Sequence, residues 1–192
     1  MSRVMYTIEN SSIGEYEVKK SKFIAHLVPI NEYKGLQEKL KAEHPKARHV
    51  VYALRYLNEF EQIVENSSDD EEPKGAAGVP SLNVLRGEKL INVAVLTVRY
   101  FGGTKLGIGG MARAYANAVK EVISKTNVVL YEKMLSLQFS TTYSDIQKVE
   151  YILNKLEICE IKREFLQDGA TWTITSTQDK LNQFKREREC MR

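Results

Sequence analysis

A near-continuous apolar run, Ile91–Val98, feeds a glycine-rich loop that opens a helical pattern, Met111–Ser124. No other stretch constrains the fold as much. A strand apolar on both sides must be covered on both faces, which puts it inside a sheet. The helix is apolar along Met111, Tyr115, Ala118, Val119 and Val122, so it must pack on another element. Between the two lies RYFGGTKLGIGGMAR, Arg99–Arg113. Gly102, Gly103, Gly109 and Gly110 stand there beside Arg99, Lys105 and Arg113, and no acid intervenes. Backbone N–H groups at a helix start, together with the helix dipole, favour an anion. The loop therefore reads as a phosphate or carboxylate site, or else as glycines that only let a strand turn tightly into a helix.

No nucleotide motif fits the loop. A phosphate-binding P-loop needs a Lys-Ser/Thr pair after its last glycine, and Gly110-Met111 follows Gly109. The dinucleotide pattern G-x-G-x-x-G is met only by Gly107-Ile108-Gly109, with Ala112 at its last place. No acid stands about twenty positions on to hold a ribose.

At 192 residues the chain suits one large domain or two small ones. Its longest apolar runs are too short to cross a bilayer. The N-terminus lacks the apolar core of a secretory signal. Cys159 and Cys190 have no metal-ligand spacing and no disulfide framework. A cytoplasmic protein with free thiols is expected, with no membrane role. Residues 1–134 hold 19 Lys and Arg against 16 Asp and Glu, whereas residues 135–192 hold nine of each. Seven of the acids fall in Glu59–Glu72, which has no base. The remainder of the first part is basic. Either a positive face for nucleic acid or a solvated acidic loop on a balanced surface follows.

The pattern reads as mixed α/β. Strands are expected over Tyr16–Val28, with a basic centre, and over Ala47–Leu57, Ile91–Val98 and Val128–Tyr131. A helix capped by Asn31 carries Tyr33, Leu36 and Leu40, and Pro80 opens a short one through Leu85. The acidic stretch reads as loop. Past a boundary near Glu132–Leu135 a β-α-β-β-α order appears. Leu135, Leu137 and Phe139 alternate; Ser144-x-x-Gln147 is a capping box; Asp168-Gly169 marks a hairpin; Ser176-x-x-Asp179 opens a last basic helix. The order is ferredoxin-like without its final strand.

Four motifs in sequence order resemble the IMPACT/YigZ family: Lys20-Ser21-Lys22-Phe23-Ile24-Ala25-His26; Ala47-Arg48-His49; Ser68-Asp69-Asp70-x-Glu72-Pro73 with Gly75-x-Ala77-Gly78-x-Pro80; and Arg99-Tyr100-Phe101-Gly102-Gly103-x-Lys105 through Tyr115. The chain departs from the family at Glu71 (usually Gly), Ala76 (usually Thr) and Met111 (commonly Leu). The resemblance implies a first domain, 1–134, similar to the second domain of small-subunit ribosomal protein five. It implies a second, 135–192, similar to the ferredoxin-like last domain of elongation factor G. Eukaryotic members regulate translation through a partner in the amino-acid-starvation response.

The expected function is a non-catalytic factor that binds RNA or a ribosome-associated partner and regulates translation. Arg99, Tyr100, Gly102, Gly103, Lys105, Gly109, Gly110 and Arg113 are its anion or nucleic-acid contacts, with Phe101 nearer the core. His26, His49, Asp69, Asp70 and Glu72 form a candidate cleft network, read first as hydrogen-bonded structure. No catalytic set, metal or cofactor is expected. Two other readings stand: an enzyme on a phosphorylated ligand using Asp69 or Asp70 with the glycine loop, and a protein-binding module without nucleic acid.

Overall fold

The computed structural model describes residues 4–47 and 49–190. The chain divides into two compact units, Met1–Tyr131 and Glu132–Arg192.

In unit one, β1 (Tyr6–Ile8) pairs with β7 (Val128–Leu130) in a short antiparallel ribbon. The main sheet takes β2 (Ser12–Val18), β3 (Ser21–Pro29), β4 (His49–Leu57), β5 (Ile63–Ser68) and β6 (Val93–Tyr100). They lie in the order β2-β3-β6-β4-β5, antiparallel throughout. The apolar run makes β6 the central strand, and Val93–Val98 are all buried. α1 (Tyr33–Glu43) covers one face; α2 (Gly78–Gly87) and α3 (Gly107–Ser124) cover the other. Strand periodicity divides the side chains between the two layers. Phe23, Ala25, Val51, Ala53, Val93 and Val95 pack with α2 and α3. Val28, Val50, Leu54, Leu96 and Val98 pack with Leu36 and Leu40 of α1.

Local chemistry explains where sequence expectation and structure part. Tyr16–Val28 is not one strand but the hairpin β2–β3, with Val18 opposite Ser21. Its two turn residues, Lys19 and Lys20, have φ of 46° and 63°. A two-residue hairpin turn favours that backbone and is usually signalled by Asn-Gly, which is absent here. The acidic stretch contains the edge strand β5, where Glu65 is held by Arg55 at 2.9 Å and Arg86 at 2.6 Å. Asn31 sits inside a 3-10 turn, Ile30–Glu32, and caps nothing.

Gly102 explains why two motifs far apart in sequence occur together. A Cβ built on it would lie 2.0 Å from the Lys20 carbonyl carbon and 2.3 Å from the Ser21 nitrogen. The Gly102 N–H donates to the buried Ser21 Oγ at 3.1 Å. The end of β6 thus rests on the β2–β3 turn with no room for a side chain.

In unit two, β8 (Met134–Thr142), β9 (Glu160–Leu166) and β10 (Gly169–Thr177) form an antiparallel sheet in the order β8-β10-β9. α4 (Ile146–Lys155) and α5 (Gln178–Glu189) close over one face. Trp172, Ile174, Phe139, Ile152, Leu153 and Phe184 form the core beneath them. Ser144 belongs to a 3-10 turn, where its hydroxyl meets that of Thr142 and not the helix. The cap of α5 is Thr177, one residue past the expected Ser176, and its side chain accepts from the Lys180 N–H. Gly169 is the first residue of β10, and a Cβ there would lie 1.9 Å from the Thr141 carbonyl oxygen.

Gly102→Ala and Gly109→Ala therefore have opposite outcomes. The first overpacks against backbone and lowers unit-one stability by about 3 kcal/mol. The second adds a methyl to open space on α3 and raises stability by about 0.5 kcal/mol or more. Amide exchange along β6 measures both.

Candidate functional site

Strand parity places Arg99 and His49 side by side on the α2/α3 face of the sheet, as partners across β6 and β4. Arg99 does not point to solvent. Its Nη1 donates to both carboxylate oxygens of Glu72, at 2.7 and 2.9 Å, and lies 3.3 Å from Met111 Sδ. The side chains of the pair are 10% and 3% exposed. The guanidinium also sits between two rings, 5.7 Å from Phe23 and 5.8 Å from Phe101. Tyr115 of α3 donates its hydroxyl to the same carboxylate at 2.9 Å. Burial first, and then the charge on Glu72, hold the Tyr115 hydroxyl far above its ordinary pKa. Arg99 is therefore a buried, neutralised cation, not the exposed phosphate contact that the sequence suggested.

Above this pair lies an open cleft of about 730 Å³. Arg99, Glu72, His49 and Met111 line it, with Lys46, Lys105, Phe101, Leu106 and Ile108. Phe101 and Ile108 are exposed, at 59% and 62%, which corrects the expectation that Phe101 belongs to the core. The lining holds three cations against one carboxylate. The start of α3 borders it through Gly107, and its N-cap, Leu106, offers no side-chain hydrogen bond. His49 Nδ1 lies 2.6 Å from the Asp70 carbonyl oxygen. A carbonyl only accepts, so Nδ1 carries the proton and Nε2 of the neutral ring is the acceptor.

The other expected residues fall into place around the cleft rather than in it. Tyr100 lines its edge, but its hydroxyl meets His44 Nδ1 at 2.7 Å on the α1 side. Gly102 serves the close approach described above, and Gly103 takes a left-handed φ of 91°. Gly109 and Gly110 lie in the first turn of α3 and do not line the cleft. Arg113 is exposed two residues beyond Met111, about 200° further round the helix, and also stands outside the lining. Arg48 lies outside the described residues.

The acids of the candidate network are structural. The Asp69 carboxylate accepts backbone N–H groups from Gly75 at 2.7 Å, Ala77 at 3.0 Å and Gly78 at 2.8 Å, holding the start of α2. Burial alone would raise its pKa, but these three donors outweigh it and hold the carboxyl below its usual range. Asp70 Oδ2 accepts from the Val50 N–H at 2.7 Å. His26 lies on the opposite, α1 face of the sheet, away from His49. Burial and the nearby His44 lower its pKa. Among the described residues no three His, Cys, Asp or Glu side chains gather as a metal set.

Lys46 and Ile108 escaped sequence reading. Lys46 sits alone in the turn before β4, and Ile108 looks like another apolar helix residue. The one available signal was helical spacing, since Gly107, Ile108 and Met111 share a side of α3. A second hollow, of about 570 Å³, lies in unit two, but there Asp145 and Asp168 balance Lys148 and Arg188.

These features define a two-unit α/β protein whose first unit carries a cation-rimmed cleft at a glycine-loop helix start. Residues 19–123 match the family model described as the Impact N-terminal domain, and the chain belongs to the IMPACT family. It is 35% identical over 148 residues to the IMPACT family member YvyE of Bacillus subtilis, covering 76% of this chain and 67% of that one. It is 32% identical over 146 residues to YigZ of Escherichia coli, covering 73% and 71%. A crystal structure described only as a hypothetical protein aligns over 100% of this chain and 94% of that one, with a TM-score of 0.68 and 25% identity. A solved structure described as the two-domain translational regulator Yih1 covers 63% of this chain and 47% of that one at 21% identity. Its TM-score of 0.35 is too slight a likeness to argue from.

Arg99→Met strands a buried carboxylate and should destabilise unit one by about 3–5 kcal/mol. Adding Glu72→Met and Tyr115→Phe should recover most of that loss; unchanged exchange of β6 amides in the single variant would refute the buried pair. Glu71 adopts a φ of 70°, which accounts for the family's glycine there. Glu71→Gly should thus stabilise the unit by about 1 kcal/mol in the same measurement.

Proposed function

We propose that this chain is a non-catalytic factor that binds RNA through the unit-one cleft and regulates translation. The observation that carries this reading is the lining itself, three cations against one carboxylate at the start of an 18-residue helix. Because Arg99 is already paired with Glu72, Lys46 and Lys105 supply the phosphate contacts. The exposed Phe101 ring offers a base a surface to stack on, beside the apolar Ile108.

Fold-level kinship supports the same direction. The family resemblance implies kinship of unit one with the second domain of small-subunit ribosomal protein five and of unit two with the ferredoxin-like last domain of elongation factor G. The β-α-β-β-α order of unit two supports that reading. Both of those domains meet RNA on the ribosome, and such a role would place this chain in the cytoplasm. The enzyme reading is weaker, because Asp69 and Asp70 are bonded to backbone N–H groups and do not line the cleft.

The test is RNA affinity against salt. Each phosphate contact contributes a slope of about 0.9 in the log–log plot for duplex and about 0.7 for single strands. Lys105→Ala should lower affinity and reduce that slope by about one contact, while Lys148→Ala in unit two should change neither. Absence of RNA binding at low salt, with a nuclease-resistant stoichiometric partner instead, would replace this reading with the protein-binding one.

A further inference from the structure

Among the described residues strand β9 pairs only with β10, which leaves its other edge open. All seven of its residues, Glu160–Leu166, are exposed. A long bare edge is a template for another strand. The opposite edge of the sheet differs, because Arg188 of α5 donates to the Ser140 carbonyl of β8 at 2.7 Å.

The sequence of β9, EIKREFL, specifies what fits. Residues opposite each other across the sheet share a face, so Ile161, Arg163 and Phe165 lie on the side of Ile174, Trp172 and Ala170. Lys162 and Glu164 lie on the other side. A second β9 running antiparallel about a two-fold axis must match residues of the same face. Three central registers satisfy this. Centring on Lys162 sets Glu160 against Glu164 and Lys162 against itself. Centring on Glu164 sets Glu164 against itself and Lys162 against Leu166. Centring on Arg163 sets Lys162 against Glu164 in both directions and Ile161 against Phe165 in both directions.

Only the last register joins opposite charges and apolar partners together. The one like pair it makes, Arg163 with its symmetry mate, is tempered within each copy. Arg163 is ion-paired with Glu150 of α4, and its guanidinium lies 4.9 Å from the Trp172 ring and 4.7 Å from the Phe165 ring. Ile161 and Phe165, 39% and 61% exposed, would shield each other.

We propose that a second copy of this chain occupies the β9 edge, joining two three-stranded sheets into one of six strands in the Arg163-centred register. The dimer holds both helical layers on the same side of the joined sheet. The joint uses no residue of the unit-one cleft, and the proposal does not rest on RNA binding.

Sedimentation equilibrium of the full chain tests the idea with three charge variants. The unaltered chain should show a concentration-dependent dimer. Lys162→Glu and Glu164→Lys each set two like pairs across the joint and should weaken it about tenfold. The double variant, Lys162→Glu with Glu164→Lys, restores both pairs and should return the dimer to its original affinity. The substituted side chains are exposed, so folding, read by circular dichroism, should not change. A chain that stays monomeric at all concentrations overturns the proposal. So does a dimer indifferent to the single reversals, or one the double variant fails to restore.

Discussion

The carboxylate of Glu72 organises unit one. It receives Arg99 from the central strand and Tyr115 from the long helix, so sheet, acidic segment and α3 meet at two oxygens. Such a group is costly to bury unless it is fully engaged. Here Tyr115 and the cationic Arg99 engage it, while Asp69 holds the backbone at Gly75 and Asp70 holds β4 at Val50. The glycine loop then begins at the far end of a strand whose last inward residue is immobilised. Phe101 and Lys105 leave the fold from a fixed point and not from a flexible one.

The acidic stretch changes meaning in this light. Read as sequence, Glu59–Glu72 is a run of like charge that solvent should claim. In the fold, Glu65 is held by Arg55 and Arg86, Asp69 by three backbone N–H groups, Asp70 by Val50, and Glu72 by Arg99. At least four of its seven acids thus have internal partners, and the run is a set of separate fasteners. The positive character of the cleft does not come from the excess of lysine and arginine over the unit. It comes from which of those cations are left unmatched at one place.

Much of the architecture was legible because burial imposes period. β6 is apolar on both faces and is central; Met111, Tyr115, Ala118, Val119 and Val122 mark one side of α3 and are buried; the hairpin of β9 and β10 turns at the Asp168-Gly169 signal. What was not legible depended on contacts distant in sequence. Lys19-Lys20 carries no turn signature, yet the chain reverses there, and Gly102, about eighty residues on, packs against it. Arg99 looked like a surface cation because a single sequence does not state that Glu72 lies opposite. His26 and His49 looked like neighbours in a network, but parity puts them on opposite faces of one sheet. The glycine loop does border a cleft, but Arg99, expected to be an exposed contact, is buried against Glu72.

The burial of Arg99 bears on how the cleft could hold a ligand. A buried Arg–Glu pair gives rigidity more than stability, since matched apolar residues would serve stability as well. Exposed lysines, by contrast, give little energy each in high dielectric and act mainly through local charge. The cleft divides these roles between different residues. Arg99 and Glu72 hold the floor, Lys46 and Lys105 set the sign of the field, and Phe101 with Ile108 supplies an apolar surface that salt does not screen. A ligand bearing both charge and an aromatic ring would use all three, and only its charge-dependent part would weaken as ionic strength rises. The portion of affinity that survives high salt therefore measures the apolar wall, and its loss on removing the Phe101 ring would separate stacking from simple attraction of an anion.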